Sequence, residues 1–338
     1  MRIATYNVEW FNALFDDKGA LLEDGRWSKR RDVTRAQQLQ ALGHVFAAMD
    51  ADAIMVIEAP DDSRHRSSVV ALQAFAERFG LRADHAIIGF ANHTQQEIAL
   101  LYDPKVLSVR HDPQATQDAP RFDQTLAIDL DVDARADQVQ FSKPPLELAL
   151  ETAGGFAFRM IGAHLKSKAP HGAVGRDAIM RASIANRRKQ LAQAIWLRRR
   201  VEALLAEGTP LMVMGDLNDG PGLDEYEDLF GRSSVEIVLG AQDHAGAEMC
   251  LFDPHATGAL RNRWSQPATS RFYLAHEKRY LQALLDYVMI SPDLRVKRPE
   301  WRIWHPFDDE ACFADVPLRE ALLTASDHFP VVLDIDLA

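Results

Sequence analysis

A chain of 338 residues with 47% hydrophobic and 26% charged side chains can bury a substantial core, and no stretch is polar enough to stay unfolded on composition alone. Its formal charge of −11 excludes a protein that holds nucleic acid by bulk electrostatics, so any contact with a phosphate backbone has to be local. The two cysteines, Cys250 and Cys312, exclude both a disulfide framework and a thiolate metal cage.

Met1 to Tyr6 lacks the apolar h-region of a signal peptide and no run approaches ~18 apolar residues, so a cytoplasmic protein without a membrane span is expected. Ile3 to Val8 reads as the first buried strand. From Val33 to Met49 the apolar residues Val33, Leu39, Leu42, Val45, Phe46 and Met49 fall mostly at steps of three or four, predicting a helix on a sheet. Further strands are expected at Ala53 to Ile57, Ile98 to Tyr102 and Phe156 to Leu165. A long helix follows from Asp177 to Ala206, with Ile184, Leu191, Ala194, Ile195, Val201, Leu204 and Leu205 on its apolar stripe and Gly208-Thr209-Pro210 as its stop. Arg188 lies on that stripe, an inward phase that permits a phosphate contact or a buried carboxylate partner. Leu211 to Met214, Leu284 to Ile290 and Val331 to Ile335 complete the strands. The stretches 112–121, 168–177 and 240–269 read as loops. Strands alternating with helices, without repeats or a low-complexity linker, predict an α/β protein whose residues 1–338 form one domain.

The strand ends carry the chemistry. In order they present Asn7, Glu58, His164, Asp216 with Asn218, Asp286, and Asp327 with His328. Oxygen donors and imidazoles, with no cysteine cluster, favour a hard cation such as Mg2+ or Mn2+. Each piece alone has an ordinary reading: Asp216-Leu217-Asn218-Asp219-Gly220-Pro221 is a good strand-to-helix turn, and Ser326-Asp327 a good cap.

Together the segments TYNVE (5–9), MVIE (55–58), ALLY (99–102), HLKS (164–167), GDLN (215–218), LDYV (285–288) and SDHFP (326–330) resemble, in the same order, the endonuclease/exonuclease/phosphatase superfamily of deoxyribonuclease-I-like metal-dependent phosphohydrolases. HLKS is similar to the wording of bacterial nuclease-like members, whereas Ile57 stands where many members have glutamine and Trp10 where one branch often has asparagine. The resemblance implies a four-layer α/β sandwich of two packed mixed β-sheets flanked by helices. It implies Asn7, Glu58 and Asp327 near the principal metal and Asp216 and Asn218 orienting water and phosphate. It also implies His328, backed by Asp286, as base, though Asp216 remains an alternative, and His164 on a phosphoryl oxygen. Lys166, Lys168 and Arg188 are candidate phosphate contacts.

Phosphate-ester hydrolysis requires a barrier reduction on the order of 20 kcal/mol. One general base supplies roughly 3–5 kcal/mol, so fixed donors and a cation have to provide most of the rest. The expected activity is hydrolysis of a phosphodiester, with nucleic acid as first substrate. Alternatives are a phosphatase or phosphodiesterase on a small molecule or lipid headgroup, and a silent binding protein of the same fold. Arg261, Arg263, Trp264 and Arg271 are compatible with a base-stacking surface or a packed loop. Arg198-Arg199-Arg200 reads as a solvated helix face, and His44, His65, His85, His93, His111, His171, His244, His255, His276 and His305 as surface or loop residues.

Overall fold

The computed structural model describes residues 1–129, 137–170, 172–221, 231–241, 246–262, 266–274 and 277–337. The strands are β1 (Arg2–Asn7), β2 (Ala53–Ala59), β3 (His85–Ile88), β4 (Glu97–Tyr102), β5 (Leu107–His111), β6 (Thr125–Ile128), β7 (Asp137–Gln140) and β8 (Leu146–Thr152). They continue as β9 (Ala157–His164), β10 (Leu211–Asp216), β11 (Ser270–Leu274), β12 (Arg279–Ala283), β13 (Asp286–Ile290), β14 (Glu300–Ile303) and β15 (Val331–Asp334).

Two large mixed sheets result, ordered β14-β15-β1-β2-β4-β3 and β13-β10-β9-β8-β5. Side chains alternate across each strand, so Ile3, Met55, Ile57 and Leu100 of the first sheet meet Met160, Met212, Met214 and Val288 of the second in a central apolar layer. The opposite face of the first sheet, with Ala4, Tyr6, Ile54 and Val56, is covered by α1 (Arg35–Met49), α2 (Ser68–Phe79) and a C-terminal helix spanning Val316–Ala325. The outer face of the second sheet, with Ile161, Val213 and Met289, is covered by α3 (Arg176–Ala206) and by the shorter α4 (Ser234–Leu239) and α5 (Pro254–Arg261). The order helix, sheet, sheet, helix is the four-layer sandwich expected from the sequence. No helix among the described residues is long and apolar enough to cross a membrane.

Local sequence explains the element ends. Thr34 and Gln37 form a reciprocal capping box at the start of α1, and Ser67 caps α2 by accepting from the Val70 amide. Gly215 has φ +128 beside β9, where a Cβ would collide with the carbonyl oxygen of Ala163, so only glycine fits.

Three expectations are corrected. The stretch 240–269 is not all loop: Asp253 caps α5 by accepting from the Ala256 amide, with Pro254 in the first turn. Arg198 and Arg200 are buried rather than solvated, because segments laid over α3 offer them acceptors. Arg200 pairs with buried Glu147 at 2.9 Å and donates to the carbonyls of Gln114 and Ala119, while Arg198 donates to that of Met249. His305 is buried against the ring of Phe329, its Nδ1 accepting from the amides of Phe307 and Asp308. Arg263, Trp264, His171, His244 and His276 lie outside the described residues.

Candidate active site

Parallel pairing gathers the expected residues. In each sheet one adjacent pair runs parallel, β1 with β2 and β9 with β10, so the C-terminal ends of both strands arrive side by side. Asp216 sits in register with His164 on one side and with Asp286, the first residue of antiparallel β13, on the other. β15 runs antiparallel to β1, and the segment before it therefore delivers Asp327 and His328 beside Asn7. Ser326 fixes that junction: its hydroxyl donates to the Asn7 carbonyl at 2.8 Å and accepts from the amides of His328 and Glu9. Glu58 lies at a β-bulge between Ile57 and Ala59 and has φ +63, a left-handed conformation that turns its carboxylate out of the regular pleat. There its Oε2 accepts from the Trp10 amide at 3.4 Å.

The hydrogen bonds converge on Asp216. Its Oδ2 accepts from Asn7 Nδ2 at 3.0 Å and from Asn218 Nδ2 at 3.3 Å, and its Oδ1 accepts from the Asn218 amide at 2.7 Å. The Nε2 atoms of His164 and His328 stand 3.7 and 3.9 Å from the same Oδ2, beyond direct hydrogen-bond reach. His328 Nδ1 donates to Asp286 Oδ2 at 2.7 Å. Thr269 Oγ1 donates to that same oxygen at 2.8 Å and receives the amides of Leu285 and Asp286. The His328 ring is thereby fixed with Nε2 toward Asp216.

Burial and mutual repulsion set the electrostatics. Burial pushes the Asp216 carboxyl up to about 7, with Asp286 adding to the rise and His328 opposing it. Asp327 is likewise pushed up to about 7 by burial, with Glu9 and Glu58 adding to the effect. Glu58 is raised by burial, against the pull of Lys143 and His328. Burial works against charge on His328, but Asp286, bonded to it, and the nearby Asp216 and Asp327 prevail and hold its pKa well above the ordinary value. His164 is held well below its ordinary value by burial and by the charges of Lys143 and His328.

A hard cation fits this donor set. Asn7 Oδ1 and Asp286 Oδ1 are buried and lack a hydrogen-bond partner. Asp216, Asp286 and His328 each present a ligand atom within 4.8 Å of one another. Crowded acids, orphaned oxygens and no thiolate match divalent-cation chemistry.

Lys143 was not anticipated. Its Nζ lies 3.2 and 3.3 Å from the two ring nitrogens of His164, and burial lowers its pKa although Glu58 and Asp216 favour its charge. It lies in the loop between β7 and β8, away from any strand end, and its one sequence signal is the Pro144-Pro145 pair that restricts it to an extended backbone. Of the candidate phosphate contacts, Arg188 is half-buried and pairs with Asp137 at 2.9 Å, so it does not take the inward phase expected of it. The inward residue is Arg187, one position earlier, which bonds to buried Asp219 at 2.6 Å. Lys168 also bonds to Asp219, at 2.7 Å. The Lys166 amide donates to Gln193 Oε1, and its ammonium pKa is lowered by burial and by Lys189.

A family model described as Endonuclease/Exonuclease/phosphatase family matches residues 4–328. No curated protein sequence matches. Among solved structures, a 3′ phosphatase from Neisseria bound to a product DNA hairpin is similar, with 15% identity, TM-score 0.51 and 99% of each chain covered. A mannosyl-6-phosphatase from Bacteroides thetaiotaomicron, at 14% identity, and an AP endonuclease from Archaeoglobus fulgidus, at 13%, each give a TM-score of 0.49 with 99% of both chains covered. The match over residues 4–328 places the chain in the Endonuclease/Exonuclease/phosphatase family, whose members are metal-dependent phosphoester hydrolases.

Proposed function

We propose that residues 1–338 form one catalytic domain that hydrolyses phosphodiesters of nucleic acid with Mg2+ or Mn2+, by in-line attack of water and without a covalent enzyme intermediate. The observation that carries this reading is the His328 ring, bonded through Nδ1 to Asp286 at 2.7 Å and aimed through Nε2 at the space beside Asp216. In the neutral form of the ring Nε2 takes the proton of the attacking water, and Asp286 stabilises the imidazolium that results. Asp216 Oδ2, fixed by Asn7 and Asn218, faces the same space and orients that water. His164 and Lys143 supply donors for phosphoryl oxygens as charge grows on them. Asn7, Glu58 and Asp327 are the residues that would hold the cation. When bound, it neutralises phosphate charge and makes water easier to deprotonate.

A screen of plasmid, single-stranded DNA, RNA, nucleotide monoesters, sugar phosphates and phospholipids with each metal tests the reading. His328→Ala should lower kcat by about 10²–10⁴-fold, and Glu58→Ala should abolish most metal-dependent turnover, with unchanged circular dichroism. Wild-type rates in either variant would sink this mechanism. The formal charge of −11 favours a second reading, a phosphatase or phosphodiesterase on a small molecule or lipid headgroup. Turnover confined to small phosphoesters in the same screen would select it. A cytoplasmic setting, with two unpaired cysteines, fits either substrate.

A further inference from the structure

One rim of the site combines cations with partly exposed aromatic rings. The hairpin β11–β12 lies along the segment that carries Asp327 and His328: the Arg271 amide donates to the Asp327 carbonyl at 2.7 Å, and the Phe272 ring meets His328 edge-on at 5.4 Å between centroids. On its outer side the Arg271 guanidinium covers Tyr280 at 3.5 Å, and Tyr280 touches Tyr273 at 5.2 Å. Opposite the hairpin runs Lys29-Arg30-Arg31. Arg30 anchors it by pairing with Glu9 and donating to the Leu323 carbonyl, which directs Lys29 over Trp10 at 4.7 Å and Arg31 over Tyr273 at 4.0 Å. Trp10 is 38% exposed and Tyr280 50%, and Trp10 donates its amide to Glu58. The rim thus runs from Glu58, past Glu9, to His328.

We propose that this rim binds unpaired bases of a single-stranded nucleic acid on either side of the scissile phosphate, a proposal that rests on the nuclease reading above. Ring faces stack on base faces, and base faces are open in single strands and ends but covered in a duplex. Lys29, Arg31 and Arg271 supply the local positive charge that a chain of net charge −11 needs to approach a phosphate backbone. Of the exposed acids beside it, Asp32 pairs with Arg31 and offsets part of its charge, while Glu277 is taken up by Arg279. The occupant is defined by charge complementarity and by continuity with the site that receives phosphate.

The test measures fluorescence anisotropy of a labelled single-stranded DNA 12-mer, its duplex, and a 12-mer with abasic positions in its centre, using the full chain in EDTA so that nothing is cleaved. Wild type should bind the single strand about tenfold more tightly than the duplex or the abasic strand, the scale of one lost stack. Tyr280→Ala should remove about tenfold from single-strand affinity, and Tyr280→Phe should restore it. Arg31→Ala should lower the slope of log affinity against log salt by about 0.7. Turnover of bis(p-nitrophenyl) phosphate with Mn2+ should be unchanged in all three variants, which also shows that they are folded. Equal affinity for single strand and duplex, or wild-type affinity in Tyr280→Ala, overturns the proposal. Absence of metal-dependent phosphodiester turnover in wild type would instead overturn the catalytic reading, and the binding comparison would still decide the role of the rim.

Discussion

The histidine pair shows how two identical side chains acquire opposite properties from their neighbours. Both rings are buried, which opposes charge; His328 gains Asp286 at 2.7 Å and stays basic, while His164 is kept neutral by that burial and by Lys143 at 3.2 Å. A basic imidazole suits proton exchange, and a neutral one suits a hydrogen bond to a phosphoryl oxygen. Lys143 is then placed to meet the substrate as well as to bias His164. Lys143→Ala should lower kcat/KM for a phosphodiester by about tenfold, the scale of one lost charged hydrogen bond. Steady-state kinetics checks this, and unchanged kcat/KM would remove Lys143 from the site. The strand-end residues of the constellation were legible in the sequence through the order of seven segments that resembles the family, since each segment alone reads equally as a turn or a cap. Lys143 was not, since it lies in a loop between two short strands and its partners are His164, Glu58 and Asp216, all distant in sequence.

At the scale of elements, α3 is a brace for the loops that carry these residues. Arg187, Gln190 and Gln193 recur every three residues on its buried face. Gln190 donates to the carbonyls of Leu217 and Asn218, Gln193 accepts from the Lys166 amide, and Arg187 meets Asp219. Asp219 also receives Lys168 and the Ser234 amide, joining the loop after β9, the turn after β10 and α4 through one carboxylate. Asp219→Ala removes the buried carboxylate that Arg187, Lys168 and the Ser234 amide share and should destabilise the fold by about 3–5 kcal/mol in urea unfolding. A loss below about 1 kcal/mol would show that the cluster relaxes into water.

A second element, α7, is defined by its cap. This helix (Glu310–Ala314) follows α6 (Pro292–Arg295) and precedes α8 (Val316–Ala325), the helix on the first sheet. Asp309 accepts the Cys312 amide at its N-terminus, and the Arg302 guanidinium bonded to it holds its carboxyl down at about 2. Because the folded value lies below the unfolded one, its contribution is fully present above about pH 4 and is lost as pH falls toward 2. Melting curves should therefore show wild type more stable than Asp309→Asn at pH 6, with the gap closing by pH 2. A gap constant across that range would contradict the linkage.

At the scale of the whole molecule, the two sheets contribute unequal halves of one site. Asn7 and Glu58 come from the first sheet and His164, Asp216 and Asp286 from the second, so the site exists only while the central apolar layer holds them face to face. The net charge of −11 bears on substrate at the same scale. With few phosphate contacts available, cleavage of DNA should fall with salt far less steeply than for a basic nuclease, with a log–log slope of roughly −2 for about three cations on a single strand. A titration of kcat/KM from 50 to 200 mM salt measures it, and a slope near zero would favour the small-substrate reading.

The sequence by itself determined the fold class, the main strands, the two long helices and the strand-end residues. These depend on local periodicity and on motif order, which a linear reading captures. Tertiary structure alone decided that Arg187 rather than Arg188 faces inward, that Arg198, Arg200 and His305 are buried, and that Lys143 and Thr269 join the constellation. Each of those outcomes turns on what lies opposite a side chain. That partner is supplied by another element far along the chain, so periodicity within one segment carries no record of it.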